Sequence, residues 1–265
     1  MADIWHRYLG NIWVLKDPPA YRREVIRYLD LIRTTDSGRI LCDFINRQTG
    51  WMAIVPYVPT SEAPLNAFAA PTQWKDAAEK DVFGWTTWRV SKDITIPWPL
   101  GLGTGKGSDV LVKYHPATWR QFAANVGRIL PGAGPGEVLY HEMLHGLRML
   151  NGKLLQQPVA AYPEFDDIEE FYAILAANVY RTQRGFKIHR FSHHGFSPAQ
   201  KDYDTSQAYY EEFADEIAAW FKSQRDFCLA MARTRSNFNP FTAAAVALGL
   251  MPAPTTPPSR GARPR

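Results

Sequence analysis

The sequence predicts an α+β fold: a helix-rich single domain with a small, mainly antiparallel sheet. Three observations predict it. Apolar residues recur at helical spacing in several long runs, and apolar runs of strand length are fewer and lie in the first half of the chain. The 265 residues contain no repeat and no composition break that would divide them.

Taken in chain order, Asp17-Pro18-Pro19 opens an amphipathic helix whose apolar face is Tyr21, Val25, Ile26, Leu29 and Ile32, and Asp36-Ser37-Gly38 closes it. Arg39 to Ile45 and Met52 to Val58 read as strands separated by a polar turn at Gly50. Residues 59 to 108 are rich in Pro, Gly and Trp and read as loop-dominated, with Thr86 to Val90 a candidate strand. Asp109 to Tyr114, DVLVKY, alternates as a half-buried strand does. A short helix, Ala117 to Leu130, leads through PGAGPG into a helix from Pro135 to Leu150. Asp166 to Arg184 follows, with Ile168, Phe171, Tyr172, Leu175 and Val179 on one face, and Ser206 to Arg233 reads as one further long helix. The domain is expected to span residues 1–250. Residues 251–265, MPAPTTPPSRGARPR, read as a disordered tail.

A hydrophobic content of 46% and a charged content of 21% fit an ordinary globular protein. The net charge of +4 is mild and no basic stripe of helix length occurs, which argues against nucleic acid as a partner. The nine Trp are explained by buried packing. Two cysteines, Cys42 and Cys228, do not make a disulfide framework, so the redox compartment stays open. Asp3, His6 and Arg7 interrupt the N-terminal apolar residues, so no ordinary secretory signal is expected. The uncharged run Phe241 to Met251 is too short to span a bilayer, so no membrane span is expected.

The chemistry is concentrated in HEMLH, His141 to His145. Two imidazoles four residues apart on a helix face one metal ion, and Glu142 between them is placed to take a proton from the metal's water, the HExxH pattern of zinc hydrolases. At 100° per residue, Val138, His141, Glu142, His145 and Met149 share one side. Leu139, Tyr140, Met143, Leu144, Leu147 and Leu150 fill the other, predicting a helix with a buried back and a ligand-bearing front. Pro135 suits a first helical turn and Asn151-Gly152 a helix end. The fold is therefore expected to be zincin-like, with the sheet next to this helix, and one Zn2+ is expected per chain. Asp109 to Tyr114 is the candidate strand for holding an extended substrate by main-chain hydrogen bonds; an internal strand with no free edge is the competing reading.

A catalytic zinc usually takes three protein ligands. The form HExxHxxGxxH is excluded, because position 148 is Arg and position 151 is Asn. The pair Glu169-Glu170 on the next helix and the pair His193-His194 are the candidates. Ala173, Ala176 and Ala177 would let the glutamate helix approach the HEMLH helix closely, but periodicity does not choose between Glu169 and Glu170. The glycine run LGLGTGKGS, Leu100 to Ser108, fails the Walker pattern, with Leu100 where Gly is needed and Gly107 where Ser or Thr is, and reads as a flexible rim loop.

HEMLHGLRMLNG, then EEFYAILAANVYRTQRG, then RFSHHGF resembles the bacterial effector zinc metallopeptidases: the toxin domains at the ends of type VI secretion spikes and the related type III effector proteases. HExxH, a Glu-Glu pair and R-x-x-Y in that order are distantly similar to clostridial neurotoxin light chains. The resemblance covers roughly Asp109 to Phe196. It implies His141, His145 and Glu170 as metal ligands, Glu142 as general base and Glu169 behind the ligands. Arg190 and His193 would then be the pair facing the oxyanion. His193 stands where the pattern has Tyr, which leaves Tyr180 and His194 as alternative donors.

The expected function is thus a zinc metallopeptidase acting on a protein or peptide substrate. The resemblance implies a secreted effector without a signal peptide, delivered into a target cell's periplasm or cytosol, with a secretion spike or adaptor and an immunity protein as partners. The enzyme itself is expected to be a monomer. An amidase acting on cell-wall peptides keeps the zinc and changes the substrate; a non-catalytic binding module with a relic site is the reading from a different class.

Overall fold

The computed structural model describes residues 4–61, 63–73, 79–89, 95–102, 104–126, 130–156, 163–193 and 205–253. The expected disordered tail, apart from its first three residues, lies outside them, as does His194. The described chain forms an α+β domain with a small mixed sheet.

Strands β1 (Trp5–Leu9) and β2 (Ile12–Leu15) make an antiparallel hairpin. Helices α1 (Pro19–Arg33) and α2 (Asp36–Asn46) then cross over to β3 (Met52–Val55), which pairs parallel with β2. Next come β4 (Phe68–Pro71), a separate antiparallel hairpin of β5 (Glu79–Arg89) and β6 (Thr95–Leu102), and β7 (Val110–Lys113). The main sheet runs β1-β2-β3-β7-β4, with β3/β7 parallel and β4/β7 antiparallel. It is therefore mixed, not mainly antiparallel. The two long crossovers, β2 to β3 and β3 to β7, return the chain to the end where it started, and that connection makes a parallel pair.

The first crossover also corrects the reading of Arg39 to Ile45 as a strand, since these residues form most of α2. Its buried residues Gly38, Leu41, Cys42 and Ile45 recur at helical spacing. The Thr35 hydroxyl accepts from the Gly38 N–H at 3.0 Å, so the residues expected to stop α1 instead begin α2. Gly38 is required there: a Cβ would overlap the carbonyl of Ile32, where α1 and α2 touch.

After α3 (Pro116–Val126), helix α4 (Pro135–Leu150) has the bounds expected for the HEMLH helix. It lies on the sheet through Gly146, where a Cβ would meet the Met52 methyl and Val110. Every residue from Gly136 to Leu150 is buried, so the expected open front is covered as well. Residues 100–102 belong to β6, and residues 104–108 of the expected rim loop close the end of α4. Gly105 N–H donates to Gly152 O at 2.9 Å and Ser108 N–H to Met149 O at 3.1 Å, while Gly107, at φ 78°, lies against the Leu150 carbonyl.

Helix α5 (Ile168–Gln183) runs antiparallel to α4. Arg148 meets Glu169 near the end of α4, Tyr140 stacks on Tyr180 at 4.7 Å, and Glu137 pairs with Arg181 at 2.6 Å near its start. Ser206 to Arg233 is not one helix but three: α6 (Ser206–Glu212), α7 (Ala214–Ser223) and α8 (Arg225–Ala232), before α9 (Pro240–Ala247). Core contacts override the continuous pattern at both breaks. Phe213 packs against Phe165, Phe171 and Tyr209. The Gln224 side chain accepts from Trp220 Nε1 at 2.8 Å and from Arg148 Nη1 at 2.7 Å. No described helix is long and apolar enough to cross a membrane.

Candidate metal centre

His141 and His145 lie on one face of α4, and the first turn of α5 brings a carboxylate to them. Asp167 caps that turn, its side chain accepting from the Glu170 N–H at 3.0 Å. His141 Nε2 and His145 Nε2 are 3.0 Å apart. Glu170 Oε2 is 3.1 Å from the former and Glu170 Oε1 3.3 Å from the latter. Zinc bound to imidazole nitrogen at about 2.05 Å in tetrahedral geometry has ligand atoms about 3.3 Å apart. The two imidazole nitrogens and the Glu170 carboxylate are thus close enough together to share one small ion. Glu170 Oε2 is buried and accepts no hydrogen bond, which leaves its lone pairs for a cation. Among the described residues, this is the one group of histidine and acidic side chains close enough to share a metal. The donor set fits zinc.

The charges on the three donors differ from one to the next. Burial lowers His141 to about 3, so its imidazole is neutral, the form that binds metal, although Glu170 opposes the shift. Burial also disfavours charge on His145, but the carboxylates of Glu170, Glu169 and Glu142 outweigh it and raise this group well above its ordinary value. Burial acts on Glu170 in the opposite sense to its neighbours, and His193, His145 and His141 together hold it well below the usual carboxylate range. The centre is thus an anionic pocket that gathers positive charge.

Glu142 projects from the same helix but is not in the ligand group. Burial raises it to about 7, against the pull of His145 and His193. The backbone of Ala69 in β4 also acts to lower it. A buried carboxylate whose proton affinity lies near neutrality suits a general base. Strand β4 is the outermost strand on this side of the sheet. Asp109 to Tyr114, the candidate for holding substrate, is enclosed between β3 and β4 and offers no edge.

Glu169 faces another partner. Both its oxygens accept from Arg148 Nε, at 2.7 and 2.8 Å, and Oε1 also accepts from the Leu155 N–H at 2.5 Å. Its Oε2 lies 3.8 Å from His145 Nδ1, behind the ligand. Arg148 is itself held over the rings of Tyr172 and Trp220. The structure therefore brings Glu170, and not Glu169, to the two histidines.

Arg190 lies within the field of the carboxylates of Glu170, Glu137 and Glu142. Burial lowers it, opposed by those charges. Gly132 makes room for its guanidinium, with the site of a Cβ only 3.2 Å from Arg190 Nε. Arg190 Nε donates to Ser192 O at 2.9 Å and Nη2 to His193 O at 3.2 Å. His193 lies beside the ligands: its ring is parallel to that of His141, 6.4 Å away, and Nε2 is 3.3 Å from Glu170 Oε2. It stands beside the three-donor group and outside it. Tyr180, the alternative oxyanion donor, has its hydroxyl against Gly136, five residues before His141 and so about 7.5 Å along the helix.

Sequence reasoning missed Arg148, Asn178 and Asp166. The first two are a charged and an amide side chain fully buried within helices. Asp166 sits at φ 57°, a backbone property with no periodic trace. Neither the known protein families nor the curated proteins compared with this chain match it. The functional reading rests on the geometry of the site.

Proposed function

We propose that the protein is a zinc-dependent metallopeptidase with a zincin-like arrangement, in which an HExxH helix lies beside a sheet edge and a glutamate ligand comes from the following antiparallel helix. The observation that carries this is the meeting of His141, His145 and Glu170 at 3.0–3.3 Å, with Glu142 one residue from the first ligand. His141, His145 and Glu170 would hold a zinc ion, which when bound supplies Lewis acidity toward a carbonyl and lowers the proton affinity of water. Glu142 accepts the proton of the attacking water and passes it to the leaving amine. The outer edge of β4 offers the carbonyls of Ala69 and Pro71 to an extended peptide, which would lie along it. Arg190 and His193 supply positive charge on the side where the oxyanion develops.

By its resemblance to effector metallopeptidases, the protein acts after delivery into a target cell's periplasm or cytosol. Its partners there are a secretion spike or adaptor and an immunity protein, and it works as a monomer on a protein or peptide. The test is hydrolysis by the zinc-loaded protein and its Glu142→Ala variant, on casein and on purified peptidoglycan. Glu142-dependent cleavage of casein supports the peptidase. Cleavage of peptidoglycan alone replaces it with a cell-wall amidase, and activity on neither, with zinc bound, leaves a binding module.

A further inference from the structure

The segment following α5 does not leave the site; it runs back along the helix. Arg181 Nε donates to Ile188 O at 2.6 Å. The buried Asn178 amide grips Arg190 at both backbone groups, donating to its carbonyl and accepting its N–H, each at 2.7 Å. The His193 N–H donates to Glu164 O at 2.7 Å, in the 3-10 turn Pro163–Phe165 that precedes α5. Each anchor lies nearer the start of α5 than the last. The result is that His193 is set down beside Glu170.

These anchors fix the backbone of His193 but not its ring, which can still turn about its Cβ–Cγ bond and exchange nitrogen for carbon. Asp166 and Glu170 face its two nitrogens. Asp166 Oδ2 is 2.5 Å from His193 Nδ1, so it accepts the proton there, and Nε2 is left toward the metal ligands. Asp166 holds this place at φ 57°, a left-handed conformation in which glycine would be more comfortable. Asp tolerates that region better than most residues, yet a carboxylate is needed only for what it touches.

We propose that Asp166 is a positioning residue: by bonding His193 Nδ1 it fixes the ring's orientation, so that Nε2 is presented to the centre beside Glu170. The inference rests on the zinc-peptidase reading for its catalytic consequence, and on the Asp166–His193 geometry alone for the orientation itself. The zinc-loaded full chain is compared with Asp166→Gly, Asp166→Asn and His193→Ala. Glycine relieves the backbone and removes the carboxylate, whereas asparagine keeps an acceptor oxygen. In ¹⁵N-histidine spectra, the parent should show a strongly downfield proton on one Nδ1. That signal should be absent in His193→Ala and Asp166→Gly, and shifted but retained in Asp166→Asn. On casein-derived peptides, Asp166→Gly should lower kcat about 10- to 100-fold, the usual effect of losing a partner that orients a site imidazole. KM should stay within about threefold and zinc content should be unchanged. Asp166→Asn should fall between Asp166→Gly and the parent. A glycine variant at least as active as the asparagine variant would overturn the proposal, because only backbone strain would then matter. So would a parent spectrum without the His193 signal. A parent that cleaves neither peptide nor peptidoglycan refutes the peptidase reading, and the spectrum still decides the positioning role.

Discussion

Replacing Arg148 by alanine should be among the most destabilising single changes in this protein. Its side chain is 1% exposed and that of Glu169 is 3% exposed, so the pair is sealed from water. Arg148 donates to both Glu169 oxygens, to Gln224 Oε1 at 2.7 Å and to the Lys153 carbonyl at 2.5 Å. Gln224 keeps Trp220 Nε1 as a donor after the change and Glu169 keeps the Leu155 N–H, but the carboxylate loses its counter-charge. Removing one partner of a buried pair costs about 3–5 kcal/mol, most of it from the charge left behind. For a domain of this size each kcal/mol lowers Tm by about 2–4 °C, so a fall of roughly 6–20 °C is expected. The assay is thermal unfolding followed by circular dichroism with a chelator present, so that metal linkage does not enter. Arg148→Met combined with Glu169→Gln removes both charges and should recover at least half of the loss. A single variant within about 1 kcal/mol of the parent, or a double variant no better than the single, would refute the argument.

Other perturbations read the site and its frame. Glu170→Ala should abolish stoichiometric zinc binding, whereas Glu169→Ala should weaken it about 10- to 100-fold, as for a group behind a ligand; competition with a chromophoric chelator measures both. Glu142→Ala should keep its zinc by metal analysis and lose about two or more orders of magnitude in hydrolysis rate, since it removes a base and no ligand. The glycines beneath α4 should differ although both have φ 78°. Gly105→Ala, with open space around it, should cost only about 1 kcal/mol, while Gly107→Ala would press on the Leu150 carbonyl and should cost at least about 2 kcal/mol, both measured by chemical denaturation.

The HEMLH helix was legible because its signals are local: Pro135 and Asn151-Gly152 punctuate it, and the structure has the same bounds. Strand β7 was legible from alternation for the same reason. Other elements depend on contacts distant in sequence. Thr35 to Gly38 reads equally well as the end of one helix or the start of the next, and what decides is the packing of Gly38 on Ile32. Phe213 and Gln224 fit a continuous helical pattern, and the core breaks it at both. Glu169 and Glu170 differ by only about 100° around their helix, so period alone could not separate them. Arg148, one turn beyond the ligands on α4, draws Glu169 away and leaves Glu170 for the histidines. The sheet order was equally out of reach, because β4 is a four-residue strand of small and aromatic residues whose place depends on pairing with β7.

The proposed chemistry needs a single metal centre, and diffraction from zinc-soaked crystals at the zinc absorption edge tests for it most directly. One anomalous peak per chain is predicted, bonded to His141 Nε2, His145 Nε2 and a Glu170 oxygen at about 2.0–2.2 Å, with Glu169 still on Arg148. Crystals that show no peak between α4 and α5, or a peak bound through Glu169 or His193 in place of Glu170, would contradict it.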